Sequence, residues 1–308
     1  MDSAATPVRR KPGRPPNKPA VSAAPFNGVV DAPLGANNVL EFMTVFPMHF
    51  KSLFAYFKNI KSQDIRVRFR KNDITFLTKD HPRASRIIAI INCRYVNWYY
   101  CAQDISVWLD RENTEKLFLN IDKSYNKFTI EMRAEDPGGI FFILRDHDRS
   151  KESQYRVPAM ASNDTDNPLN TDLASIEEQL GDEGDSAMFP LQFTMTSKEF
   201  KKTVSDASSY STKITIEKQI DAALTLKYDN DNIDYNEVYL NDQTIKLICN
   251  VDYYECTIKI ANIKSLASSI VTDNVTIMCG KDDYVLLRCD IDEKSMVVYT
   301  FIPKYRED

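Results

Sequence analysis

The sequence predicts an α+β protein of two similar domains, each composed of two β-α-β-β-β units. Three observations lead there. A short helical stripe of apolar residues recurs four times along the 308 residues. Each occurrence is flanked by apolar or alternating runs of strand length. The first stripe residues, Phe50, Thr114, Phe200 and Ile263, are separated by 64, 86 and 63 residues, so the units fall into two pairs with an insert between them.

The third occurrence carries the sharpest start signal. Thr196 followed by Glu199 has capping-box spacing, and Phe200, Thr203, Val204 and Ala207 then form one narrow buried face. Lys198, Lys201, Lys202 and Ser205 lie off that face. In the first occurrence Phe50, Leu53, Phe54 and Phe57 carry the stripe, with Lys51 and Lys58 opposite and Lys61 just beyond. Thr114, Leu117, Phe118 and Ile121 carry the second, with Lys116 and Lys123 outward and Glu112, Glu115 and Asp122 diluting the charge. Ile263, Leu266, Ala267 and Ile270 carry the fourth, with Lys264 outward. One exposed helical lysine is an ordinary solvated face. Recurrence of that face on all four helices points to a shared anionic partner.

In chain order, a strand from Val39 leads into an expected helix Pro47–Asn59, with Pro47 suited to its first turn. Strands are expected at Ile65–Arg70, Ile74–Lys79 and Arg86–Asn92, the first two joined by a tight turn at Lys71-Asn72-Asp73. Aromatic Tyr95–Cys101 and strand Ile105–Leu109 precede an expected helix Arg111–Lys123. Lys127–Arg133, Ile140–Arg145 and Gln154–Val157 complete the first domain, residues 39–160. The second domain, residues 189–308, repeats the plan. Strand Leu191–Met195 and the helix over Thr196–Ser211 are followed by Ile214–Glu217, Leu224–Tyr228, Ile233–Tyr239, Thr244–Cys249 and Cys256–Ile260. Helix Asn262–Val271 and strands Val275–Cys279, Val285–Asp290 and Met296–Ile302 close it.

Charge is segregated along the chain. The net charge is −5, yet residues 161–188 hold eight acids and no base, which together with their turn formers marks an exposed linker. Residues 1–38 form a basic, Pro- and Ala-rich tail expected to be disordered. Its Arg9-Arg10-Lys11-Pro12-Gly13-Arg14-Pro15-Pro16 run resembles an AT-hook, in which arginine enters a narrow A·T minor groove. Pro12 stands where the full hook has arginine, so non-specific DNA contact through Arg10, Lys11 and Arg14 is the expectation, with a localisation signal as the bland alternative.

Other function classes lose ground on the same residues. The six cysteines form no C-x-x-C pair and sit mostly in strand-like runs, as buried thiols do. His49, His81 and His147 have no metal-ligand spacing, and the chain has neither a Gly-rich phosphate loop nor a nucleophile elbow. No apolar run approaches the ~18 residues of a membrane span. An enzyme, a cofactor, a metal and a membrane partner are therefore not expected.

Two domains of paired β-α-β-β-β units joined by a long acidic linker resemble the PCNA-type DNA polymerase sliding clamps. Ser197-x-Glu199-Phe200 with Asp206-x-Ser208 resembles that family's third helix. Arg133-Ala134-Glu135-Asp136 matches a tetrapeptide many clamps carry, and Pro303-Lys304-x-x-Glu307-Asp308 resembles their C-terminal tail. Leu53–Ser62, Thr196–Tyr210, Ile263–Asp273 and the GRPP of the tail are similar to the PCNA-like clamps of asfarviruses and related large DNA viruses.

The resemblance implies a DNA-clamp fold, in which three chains close head to tail and their helices line a channel around double-stranded DNA. It implies docking of DNA polymerase and other replication and repair enzymes beside the linker. Carried over by position, that pocket is framed by Lys79 and Arg83, Leu169 and Leu173, Tyr284 and Val285, and Ile302 and Pro303. Arg83 stands where a histidine is common, and the linker lacks the usual hydrophobic signature. The apolar run Ile140, Phe141, Phe142, Ile143 is expected to be an edge strand covered by Ile233, Tyr235 and Val238 of the next chain. The implied location is the cytoplasmic replication site of an infected cell, with the nucleus as alternative. The competing reading is a chromatin-like DNA binder working through its basic tail.

Overall fold

The computed structural model describes residues 28–58, 62, 64–79, 85–146, 148, 150–161, 189–230, 233–239, 245–270, 272–280, 285–291 and 295–301. The first half runs β1 (Asn38–Thr44), α1 (Pro47–Lys58), β2 (Asp64–Phe69), β3 (Asp73–Lys79) and β4 (Ser85–Asn92). A 3-10 turn (Cys93–Tyr95), β5 (Trp98–Cys101), β6 (Ile105–Asp110) and α2 (Arg111–Leu119) follow. It ends with β7 (Lys127–Arg133), β8 (Asp136–Asp146), β9 (Lys151–Pro158) and β10 (Met160–Ala161). The second half runs β11 (Leu191–Thr196), α3 (Ser197–Tyr210), β12 (Lys213–Gln219), β13 (Leu224–Asn230) and β14 (Ile233–Tyr239). It closes with β15 (Lys246–Cys249), β16 (Tyr253–Lys259), α4 (Ile260–Ser269), β17 (Asn274–Cys279), β18 (Val285–Asp290) and β19 (Met296–Phe301).

The pairing repeats between halves. β1 lies between β5 and β7, and β11 lies between β15 and β17; β2 lies between β3 and β6, and β12 between β13 and β16. One join crosses the halves. β4 and β19 pair antiparallel from Ile90↔Met296 to Ser85↔Phe301, fusing a sheet of each half into one of ten strands. The remaining sheets have the orders β5-β1-β7-β8-β9 and β14-β13-β12-β16.

All sixteen stripe residues are buried. In the first half they meet as stacked and edge-on aromatic rings, Phe54 on Phe118 and Phe50 against Phe42 and Phe128, which adds ring-geometry energy to plain burial. The second half replaces these rings with smaller Val204, Ala207, Leu266 and Ala267 on the same scaffold. The expected capping box is half realised, since Glu199 N–H donates to Thr196 Oγ1 at 3.2 Å. Among the described residues no helix is long and apolar enough to cross a bilayer.

Four expectations need correction. The run Ile140, Phe141, Phe142, Ile143 is not an edge. It lies in β8, paired with β7 on one side and β9 on the other, and Arg133 covers the outward ring of Phe141 at 4.0 Å. A continuous apolar run marks a strand buried on both faces, whereas the true edge, β9, reads Lys-Glu-Ser-Gln-Tyr-Arg-Val-Pro. Val285 is also displaced from its expected role. It packs into the main core with Leu287 and Cys289, while Leu286 points to the opposite sheet face.

The second helix is shorter than expected. It ends at Leu119, because Asn120 N–H turns back to the carbonyls of Leu117 and Phe118, leaving Lys123 beyond it. Finally, residues 28–30, assigned to the tail, pair with β5. Val29 forms a parallel bridge with Tyr99, and Gly28 (φ 61°) donates to the Val96 carbonyl at 3.2 Å. Its missing Cβ matters there, since a side chain would meet the Arg94 carbonyl at 3.1 Å.

Candidate nucleic-acid interface

The four helices form one layer in the order α2-α1-α4-α3. α1 contacts α2 and α4, and α4 contacts α3. Side chains reach across each of these contacts to backbone. Lys51 of α1 donates to the carbonyls of Leu119 at 3.2 Å and Ile121 at 2.7 Å, both at the end of α2. Ser269 of α4 donates to the Ala55 carbonyl of α1 at 3.3 Å, linking the halves. Lys201 of α3 donates to the Ile270 carbonyl at the end of α4, at 2.7 Å. The apolar stripes face the sheets, so the opposite side of this layer is polar.

The expected lysines divide into three groups on that layer. Lys198, Lys202 and Lys264 are exposed, and among the described residues none has a carboxylate within ion-pair distance. They are free to meet an anion. Lys116 is exposed but paired with Glu112 at 2.6 Å, four residues apart on the same helix. That bond and charge hold the Glu112 carboxyl below its ordinary range and raise the Lys116 ammonium. The pair is solvated, so an incoming phosphate displaces it at small cost. Lys51 and Lys201 form the third group, already engaged with carbonyls. Lys123 is exposed in the turn after α2. Lys58 sits in the last position of α1, while Lys61, Arg10, Lys11 and Arg14 lie outside the described residues.

Sequence reasoning missed what holds β14. Glu237 accepts from Thr203 Oγ1 at 2.9 Å, from Tyr239 OH at 2.9 Å and from Tyr228 OH at 3.1 Å. Thus a stripe residue of α3 fixes the sheet's outer strand. Burial first, and the Glu237 carboxylate next, raise the Tyr228 phenol. The available signal was Thr203 itself, a polar residue at a position facing the core.

The second apolar cluster lies on the sheet face opposite the helices. It comprises Leu77, Ile88, Phe189, Met278, Leu286 and Val298, with Ile90, Trp108 and Met296 half-buried at its margin. It spans the β4–β19 join. Of the residues expected to frame the partner pocket, Lys79 is half-buried at the end of β3. Arg83, Leu169, Leu173, Tyr284, Ile302 and Pro303 lie outside the described residues.

No family model matches the sequence. Relatives do. Proteins of African swine fever virus, themselves named only as uncharacterized, are 37% identical over 290 residues, covering 92% of this chain and 94% of theirs. The same figures hold for the isolates Kenya 1950 and Namibia Warthog 1980 and for the Badajoz 1971 strain. The chain belongs to the family of these viral proteins. The fold of this family member is that of PCNA. Its backbone matches the crystal structure of PCNA from Thermococcus kodakaraensis with a TM-score of 0.71, at 14% identity, over 86% of this chain and all of the other. The paired-unit architecture expected from the stripe spacing is thus the clamp fold.

Proposed function

We propose that this chain is a DNA sliding clamp, a non-enzymatic ring that encircles duplex DNA and tethers replication and repair enzymes. One observation carries the reading. The join between halves pairs β4 with β19, and the repeat-equivalents of those strands are β14 and β9. Among the described residues each of these has a neighbour on one side only. A second copy supplies the missing partner to each, by the same antiparallel pairing used inside the chain. The edges match in length, eight residues against seven. Tyr235 and Val238 of β14 are exposed and available to be covered.

Pairing of two different edges is heterologous, so it closes into a ring or runs on as a filament. With two quasi-equivalent halves per chain, a homotrimer gives six joints of one kind around the channel. Lys198, Lys202 and Lys264 would then face the duplex as mobile point charges that read no bases, with the basic tail as a further phosphate contact. Hydrophobic segments of partner enzymes would dock on the sheet face opposite the helices, where Ile90, Trp108 and Met296 are only half-buried, with Leu173 and Ile302 as further contacts by the family resemblance.

Topology makes the test specific. Protein loaded on nicked circular DNA should stay bound through a high-salt wash and be lost when the circle is linearised, with a native mass of three chains. Equal retention on circles and linear fragments would instead favour binding through the tail.

A further inference from the structure

Lys51 and Lys201 occupy one repeat position in the two halves. Each follows the first stripe residue of its helix, Phe50 or Phe200, and each ammonium reaches the carbonyl of the last stripe residue of the neighbouring helix, Ile121 or Ile270. Both contacts are 2.7 Å long. Lys51 makes a second bond to Leu119, and its side chain is half-buried. The sequences around the two acceptors differ, Asn120-Ile121-Asp122 against Ser269-Ile270-Val271, so the contact depends on geometry and not on a shared local motif.

The end of a helix leaves carbonyls unpaired and carries about half a negative charge. The turn after α2 pairs the Leu117 and Phe118 carbonyls through the Asn120 and Ile121 N–H groups and leaves those of Leu119 and Ile121 to Lys51, and the residue after α4 is extended (φ −60°, ψ 127°). In a layer that is to face a polyanion, two such negative ends are misplaced. An ammonium at each end satisfies the carbonyls and cancels the charge. It also fixes the spacing between the two helices of a half.

We propose that Lys51 and Lys201 are positioning residues, helix-end straps that set the channel layer and neutralise it, and not ligands of the DNA phosphates. The strap itself stands on the contacts just described; its purpose rests on the clamp reading. Phosphate contact falls to Lys198, Lys202, Lys264 and the other lysines whose ammonium groups are unengaged.

Two measurements on the full-length protein separate these roles. The variants are Lys51→Met and Lys201→Met, which keep the packing stem, and Lys51→Arg and Lys201→Arg, which keep charge and donors. Hydrogen exchange is read in the last turns of α2 and α4. The salt dependence of binding is read on a short duplex of mixed sequence. Each Met variant should speed exchange several-fold at its own helix end only, and each Arg variant should stay near the parent. The slope of log K against log salt should be unchanged for all four. A slope that flattens by about 0.9 per lost phosphate contact would make the lysine a DNA ligand and overturn the proposal. So would parental exchange in the Met variants, or exchange in the Arg variants as fast as in Met. Should the parent itself not bind duplex, the clamp reading fails, while the exchange data still decide the strap.

Discussion

The Lys201 ammonium lies 2.7 Å from the Ile270 carbonyl, tying the third helix to the end of the fourth. Its neighbour Lys202 has no such bond and is exposed. Adjacent lysines on one helix are thus differently engaged, and a double replacement would confound them. Lys198→Ala with Lys202→Ala should weaken binding to all duplex sequences alike. It should also flatten the salt slope between about 50 and 200 mM by up to about 0.9 per phosphate contact removed. Fluorescence anisotropy on two unrelated duplexes checks both parts; a sequence-selective loss would contradict phosphate contact.

Assembly predicts a contrast between two strands. Val238, 53% exposed on β14, should tolerate Val238→Asp with little change in thermal midpoint, while native mass falls to that of a single chain. Phe142→Asp places an unpaired charge in the middle of β8. It should cost on the order of 4 kcal/mol or more and compromise the fold itself. Native mass spectrometry with thermal denaturation distinguishes them. A trimeric, stable Val238→Asp protein would remove β14 from the interface.

How much of this was legible beforehand depended on the period of the pattern. The four stripes at helical spacing gave the units, their pairing and the helix faces, because a helix with one apolar side has one way to sit on a sheet. The run Ile140–Leu144 misled, because period alone does not separate an edge strand from one buried on both faces. Lys51 and Lys201 show a different gap. A lysine beside a stripe is long enough to reach either solvent or the neighbouring helix end, and the choice depends on where that end falls in space. Val285 and Leu286 differ by one residue, which in a strand is the whole difference between sheet faces.

The edge strand β9 should respond to acid. Asp136 accepts two bonds from Arg156, at 2.5 and 2.7 Å, and that contact holds its carboxyl below the ordinary carboxylate range. A depressed folded pKa gives a contribution fully present above the unfolded value near ~4 and lost as pH falls through the lower folded value. Protection of the β9 amides relative to their intrinsic exchange should therefore fall below about pH 4, and Asp136→Asn should already show the acid behaviour at neutral pH. Both partners are solvated, so the effect is local; a pH-independent β9 would contradict it.

Thiol chemistry should sort by burial. Cys93, Cys256, Cys279 and Cys289 are buried, and Cys101 and Cys249 only partly so. Burial pushes the Cys289 thiol up to about 12, and Cys93 and Cys279 well above the ordinary value. A thiol-reactive dye at pH 8 should label no more than Cys101 and Cys249 quickly, the other four waiting for unfolding. Fast labelling at Cys279, located by peptide mapping, would mean the β16–β17 region opens in the native state.

The outer sheet face makes the last prediction. β18 alternates, with Val285 and Leu287 under the helices and Leu286 in the cluster across the β4–β19 join. Val285 and Leu286 are both fully buried, but only Leu286 belongs to the sheet face proposed for docking. Leu173→Ala and Ile302→Ala, at the pocket positions expected from the family resemblance, should weaken a replication-factor peptide several-fold with little loss of stability. Val285→Ala should do the reverse, lowering stability by about 2 kcal/mol through its cavity while leaving peptide affinity unchanged. Calorimetric titration and denaturant melts on the three variants give six numbers. If Val285→Ala alone weakens the peptide, docking is transmitted through the core and the outer face is not the site.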